Sequence, residues 1–78
     1  MDKYKSSVIE IDHFIGTHVY EDMMATFEDW LSGAREKLDD EKDIDEVRRL
    51  QGSIRAMRDV MLWPENFRDD LEEQQDDN

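Results

Sequence analysis

The sequence predicts an all-α fold: an antiparallel helical hairpin with an N-terminal arm and a short acidic C-terminal helix, completed by self-association. Two heptad-spaced apolar seams predict the hairpin. Tyr20, Met24, Phe27, Leu31, Ala34 and Leu38 follow one another at steps of 4, 3, 4, 3 and 4; Val47, Leu50, Ile54, Met57 and Met61 follow at 3, 4, 3 and 4. Each set lines one face of a helix. The third observation is size. A chain of 78 residues without cysteine buries only about 60% of the surface that its unfolded form exposes. With no disulfide to help, well-patterned helix packing or oligomerisation must supply the rest.

The elements follow in chain order. Residues 1–18 form the arm. Val8, Ile9, Ile11, Phe14 and Ile15 are apolar and partly β-branched, so residues 7–12 could be a short strand. A lone strand has no partner within so short a chain, and an extended or one-turn arm capping the helical core with Phe14 and Ile15 is preferred. Gly16-Thr17 breaks the chain, with Thr17 as N-cap of the first long helix. That helix spans residues 19–38, with Glu21 and Asp22 in its first turn and Arg35 and Lys37 near its end, as the helix dipole favours. Val19, Met23 and Trp30 flank its seam and widen the apolar face.

Asp39-Asp40-Glu41-Lys42 has no apolar residue and reads as the turn. Asp43 and Glu46 then have the spacing of a capping box. Pro64 is expected to end the second helix, because proline disfavours helical geometry at the residue before it. Residues 19–63 are thus the hairpin. In residues 64–78, Phe67 and Leu71 give a short helix over 65–73 one small stripe, and residues 74–78, without an apolar side chain, are expected to be disordered.

Twenty-two acidic against ten basic residues leave a net charge of −12. Half lies in residues 65–78, which hold seven acids and one arginine; residues 39–46 hold six acids and one lysine. Such a field opposes direct binding to nucleic acid or anionic lipid and favours basic partners. No apolar run approaches the ~18 residues of a membrane span, nor does one follow the N-terminus as a secretory signal requires.

Cofactor, metal and catalytic chemistry find little support. His13 and His18 lie on different sides of a helix and have no third nitrogen ligand, so ordinary, partly exposed histidines are the better reading. Asp39, Glu41, Asp43 and Asp45 alternate like a calcium loop. Counting from Asp39 puts Ile44 and Leu50 where such a loop needs glycine and glutamate, and counting from Glu41 puts Glu46 and Gly52 there. The serines, at 6, 7, 32 and 53, stand in no nucleophile-elbow context. Paired carboxylates need a pocket to separate their pKa values, which two helices and an arm hardly enclose. The chain is read as no enzyme, with no cofactor.

Two features of the second helix point to partner binding. Gly52, Ser53, Ala56, Val60 and Trp63 cluster away from the main seam. Small residues at 52 and 56 let another backbone come close; either the arm or last segment covers them, or a second copy does. Arg48 and Arg55 share a stripe, with Arg58 beside them. Acids from the first helix or the tail could neutralise this stripe, or it could dock an acidic surface, such as the tail of a neighbouring copy. Trp63, with Phe67 beyond it, is the candidate aromatic anchor. Met23, Met24, Met57 and Met61 are assigned by default to core packing; if part of this set is exposed, a promiscuous partner groove follows. The candidate partner-binding residues are therefore Arg48, Gly52, Arg55, Ala56, Arg58, Val60, Trp63 and Phe67.

The run Asp45-Glu46-Val47-Arg48-Arg49-Leu50-Gln51-Gly52, then Ile54-Arg55-Ala56-Met57-Arg58 and Leu62-Trp63-Pro64-Glu65, resembles short uncharacterised proteins of tailed bacteriophages. The resemblance covers roughly residues 19–67. It implies a non-enzymatic protein of virion assembly, found in the host cytoplasm or the virion, with a phage structural protein as partner. Two other readings fit the charge: an acidic inhibitor that imitates DNA and binds a basic host protein, and a small acidic cofactor filling a basic groove of a larger enzyme. The mimic would place its acids on one continuous face, whereas here they cluster at a turn and a tail.

Overall fold

The computed structural model describes residues 3–76, which form three α-helices and, among these residues, no strand. The helices are α1 (Val8–Ile15), α2 (His18–Asp40) and α3 (Ile44–Asp76). α3 packs against both of the others.

The arm contains two full turns of helix, in place of the expected extended segment, single turn or strand. Local chemistry explains it. The Ser7 hydroxyl accepts the Glu10 backbone N–H at 3.2 Å and donates to the Glu10 carboxylate at 3.1 Å. Ser7 is thus the N-cap of α1, and its hydroxyl also ties down the Glu10 carboxylate in the first turn. Ile11, rather than Phe14 or Ile15, is the buried side chain of α1. Thr17 caps α2 as expected, accepting the Tyr20 N–H at 3.2 Å, and its hydroxyl donates back to the Phe14 carbonyl at 2.7 Å.

The α2–α3 connection is residues 41–43, one residue shorter than expected, because α2 continues through Asp40. Asp43 does cap α3, its carboxylate accepting the Asp45 N–H at 2.9 Å. The second half of the expected capping box is absent. Glu46 turns to Arg49, and Glu41 instead takes the Asp43 N–H at 2.9 Å and the Lys42 N–H at 3.0 Å.

Pro64 does not end the second helix. α3 runs for 33 residues straight through it, about 50 Å at 1.5 Å per residue. The separate short helix over 65–73 is the C-terminal part of α3. Residues 74–76 of the expected disordered tail belong to it too, while 77 and 78 lie outside the described residues. The reason lies in the seam. Val47, Leu50, Ile54, Met57 and Met61 continue at the same steps into Pro64, Arg68 and Leu71, and Pro64 and Leu71 are the two most completely buried side chains. A proline inside a helix costs about 3 kcal/mol relative to alanine, which burial of its ring partly offsets. The carbonyl that loses its donor belongs to Val60, a residue that is 52% exposed.

Among the described residues the buried apolar set is small: Ile11, Leu31, Leu50, Ile54 and Leu71, with Pro64. The radius of gyration is 16.6 Å, against about 11–12 Å for a compact domain of this length. The accessible surface is 6303 Å², where about 5000 Å² is usual for the mass. The excess follows from an elongated body, 52 × 28 × 13 Å, whose thin dimension leaves little interior. Among the described residues, no helix is long and apolar enough to cross a membrane.

Candidate partner-binding surface

Alongside α1 and α3, a row of aromatic rings forms. Tyr4 meets Phe67 edge-on, with centroids 4.9 Å apart, and Phe67 stacks on Trp63 at 4.6 Å with planes 12° apart. The row is held at its N-terminal end. The Gln74 side-chain carbonyl accepts the Lys3 and Tyr4 N–H groups at 3.0 and 3.1 Å, while its amide donates to the Tyr4 carbonyl at 3.2 Å. Arg68 adds a clasp to α1, donating to the Asp12 carboxylate at 2.6 and 3.3 Å, and it also pairs with Glu72 at 3.1 Å. The Asp12 carboxylate raises the Arg68 pKa still further, so the clasp keeps its positive partner at every working pH.

Trp63 lines an open groove between α2 and α3, of about 400 Å³, with Met23, Phe27, Val60, Pro64 and Asp59. The walls are nearly all apolar. Trp63 and Val60 are each 52% exposed, and Trp30, which touches Phe27 with ring centroids 5.6 Å apart, is 59% exposed. An aromatic side chain held by stacking on one side and open on the other has lost its rotamer freedom in advance, so a partner that covers it recovers burial at little entropic cost. Among the described residues, Asp59 is the only ionisable group on the groove wall. Among the described residues no cluster of histidine and carboxylate side chains could hold a metal ion.

The sequence-based candidates divide in three. Val60, Trp63 and Phe67 come together, at the groove and directly behind it. Gly52 and Ala56 do not join them: both are exposed, and a side chain built on Gly52 would meet nothing within 4 Å. Neither the arm nor the last segment covers them: the arm lies farther along α3, against Trp63 and Phe67, and the last segment is the continuation of α3 itself, so of the two alternatives, cover from within the chain is not found among the described residues. Arg48, Arg55 and Arg58 are exposed. The ion pairs among the described residues involve Arg49 with Glu46 and Arg68 with Asp12 and Glu72, so the stripe is not neutralised from within. Arg55 and Arg58 border a second open groove with Arg35, Leu38 and the 52% exposed Leu62.

Sequence spacing places Met23 and Phe27 in the core and Pro64 at a helix end, yet all three line the first groove. The signal for Pro64 is its place in the continuing heptad. The signal for Phe27 is weaker: its seam position does not reveal that α1 covers only the far part of α3.

Comparison of the chain with protein-family models, with curated proteins and with solved structures returns no match.

Proposed function

We propose that this chain is a non-enzymatic, acidic helical-hairpin protein that acts through protein–protein contacts, as a minor assembly or adaptor component of a bacteriophage particle, in the host cytoplasm or the virion. The observation that carries the reading is the open apolar groove with Trp63 at its edge. A chain with so few buried side chains that still leaves two tryptophans, a valine and a leucine half-exposed keeps contact surface for another protein. The antiparallel arrangement of α2 and α3 is supported by the grooves: Met23 and Phe27 share one with Val60 and Pro64, while Leu38 shares another with Gln51 and Ile54. The phage assignment rests on the resemblance over roughly residues 19–67, carried by residues 45–58 and 62–65. The Pro64-Glu65 pair, which closes the second helix in that resemblance, lies inside α3 here.

The DNA-mimic reading ranks second. Within α3, Asp45 and Glu46 stand at the start and six acids beyond residue 64, with Arg48, Arg55, Arg58 and the single acid Asp59 between them, which argues against a continuous anionic face along that helix.

Affinity capture from phage-infected cells and from purified particles, at low and moderate salt, tests the proposal. Wild-type protein should retain a particle protein through the salt increase, and Val60→Asp should lose it. Capture of a single basic host protein, released by salt and displaced by DNA, would replace the assembly reading with the mimic.

A further inference from the structure

We infer that a second copy of this chain docks along α3 in antiparallel orientation, about a two-fold axis near Leu62, so that the arginine half of each helix lies against the carboxylate half of the other. The inference rests on reading the chain as self-associating and assigns the surface that does it.

α3 carries a second heptad row, distinct from the one packed on α2 and α1. Positions 44, 48, 51, 55, 58, 62, 65, 69 and 72 alternate in steps of four and three, so they share one helix face. That face is open. Ile44 is 62% and Leu62 52% exposed, and the residues between them on the row are exposed as well. Its charge is split at Leu62. On the N-terminal side stand Arg48, Arg55 and Arg58, none of which makes an ion pair among the described residues. On the C-terminal side stand Glu65 and Asp69, with Glu73 next to the row, all exposed and likewise without an ion pair among the described residues.

A parallel copy would set arginine on arginine and carboxylate on carboxylate. A two-fold axis at Leu62 reverses this: Arg55 comes opposite Asp69, Arg58 beside Glu65, and Arg48 within a turn of Glu73, while Leu62 meets Leu62. A two-fold contact is self-complementary by construction, and the row meets that demand. Local neutralisation also answers the objection that two chains of net charge −12 repel, because exposed charges more than a Debye length apart are largely screened, whereas those in contact are not. The choice of one orientation over the other is the use that charges along a helical seam serve best.

Sedimentation equilibrium on the full chain, from micromolar to millimolar, supplies the test. Wild type should approach twice the monomer mass of 9.4 kDa. Arg55→Asp and Asp69→Arg should each weaken association by about tenfold or more, since like charges then face each other twice per dimer. The double variant, which exchanges the two charges, should restore it. Both positions are exposed, and circular dichroism checks that the variants stay helical. The chain has no cysteine, so Leu62→Cys should give a disulfide-linked dimer with oxidised glutathione, and Gly52→Cys should not. A dimer indifferent to both reversals, or linked through Gly52→Cys instead, would overturn the surface while leaving self-association standing. A monomer at every concentration would overturn both.

Discussion

At the residue scale, Glu46 illustrates how one side chain changes its task. Expected to close a capping box, it pairs with Arg49, and that hydrogen bond holds its carboxyl below the usual glutamate range. A lowered folded-state pKa means that the pair's contribution is complete above the ordinary carboxylate range and is lost as pH falls through the lowered value. Both partners are exposed, so the contribution to stability is small. An NMR titration should place the Glu46 midpoint below the ordinary glutamate value, and Arg49→Gln should return it to that value. Gly52 makes a second case. A methyl group at that position would have nothing within 4 Å, and glycine in a helix interior costs about 1 kcal/mol relative to alanine. Gly52→Ala should therefore add roughly 0.5–1 kcal/mol of stability in denaturant unfolding. A loss instead would mean that another backbone already occupies that face.

At the element scale, α3 decides the architecture, and Pro64 is where sequence and structure part. The stop rule for proline is a statement about local backbone cost. It takes no account of apolar spacing that continues beyond the residue, and here the spacing continues to Leu71. Removing the proline separates the two effects. Pro64→Ala regains a backbone donor and about 3 kcal/mol of helix propensity, and loses the burial of part of a small ring, worth about 1–2 kcal/mol. The net expectation is about 1–2 kcal/mol of added stability in urea unfolding, with the helical signal unchanged. Leu71→Ala has no such compensation and should cost about 2–5 kcal/mol. The seam of α2, the Thr17 cap and the acidic connection are legible in the sequence because each depends on side chains within one or two turns. The helix in the arm is legible too, in Ser7 and Glu10, but the β-branched run around them points toward a strand. Illegible are the contacts between distant segments, above all Gln74 with the backbone of Tyr4, because a polar residue near a chain end carries no pattern that names its partner.

At the scale of the whole molecule, the fold closes few side chains and leaves open grooves on both sides of α3. The N-terminal segment and α1 are held by Gln74, Arg68 and the edge-on packing of Tyr4 on Phe67. Gln74→Ala should leave α2 unaffected and lower the protection of the Tyr4 amide in hydrogen exchange, which would show that the arm opens as its own unit. Of the eight candidate surface residues, the exposure of Trp63 is legible because it falls off the seam. The groove it borders is not, since that depends on how far α1 reaches along α3.

Both the Trp63 groove and the charge-split face require that α3 pass through Pro64 without a break. Backbone chemical shifts from Val60 to Asp70 measure this most directly. Uninterrupted helical shifts across Trp63, Pro64 and Glu65 are the expected result. Extended or averaged shifts at Trp63 would contradict the account, because the arginine and carboxylate halves would then belong to separate elements and the groove would lose its wall.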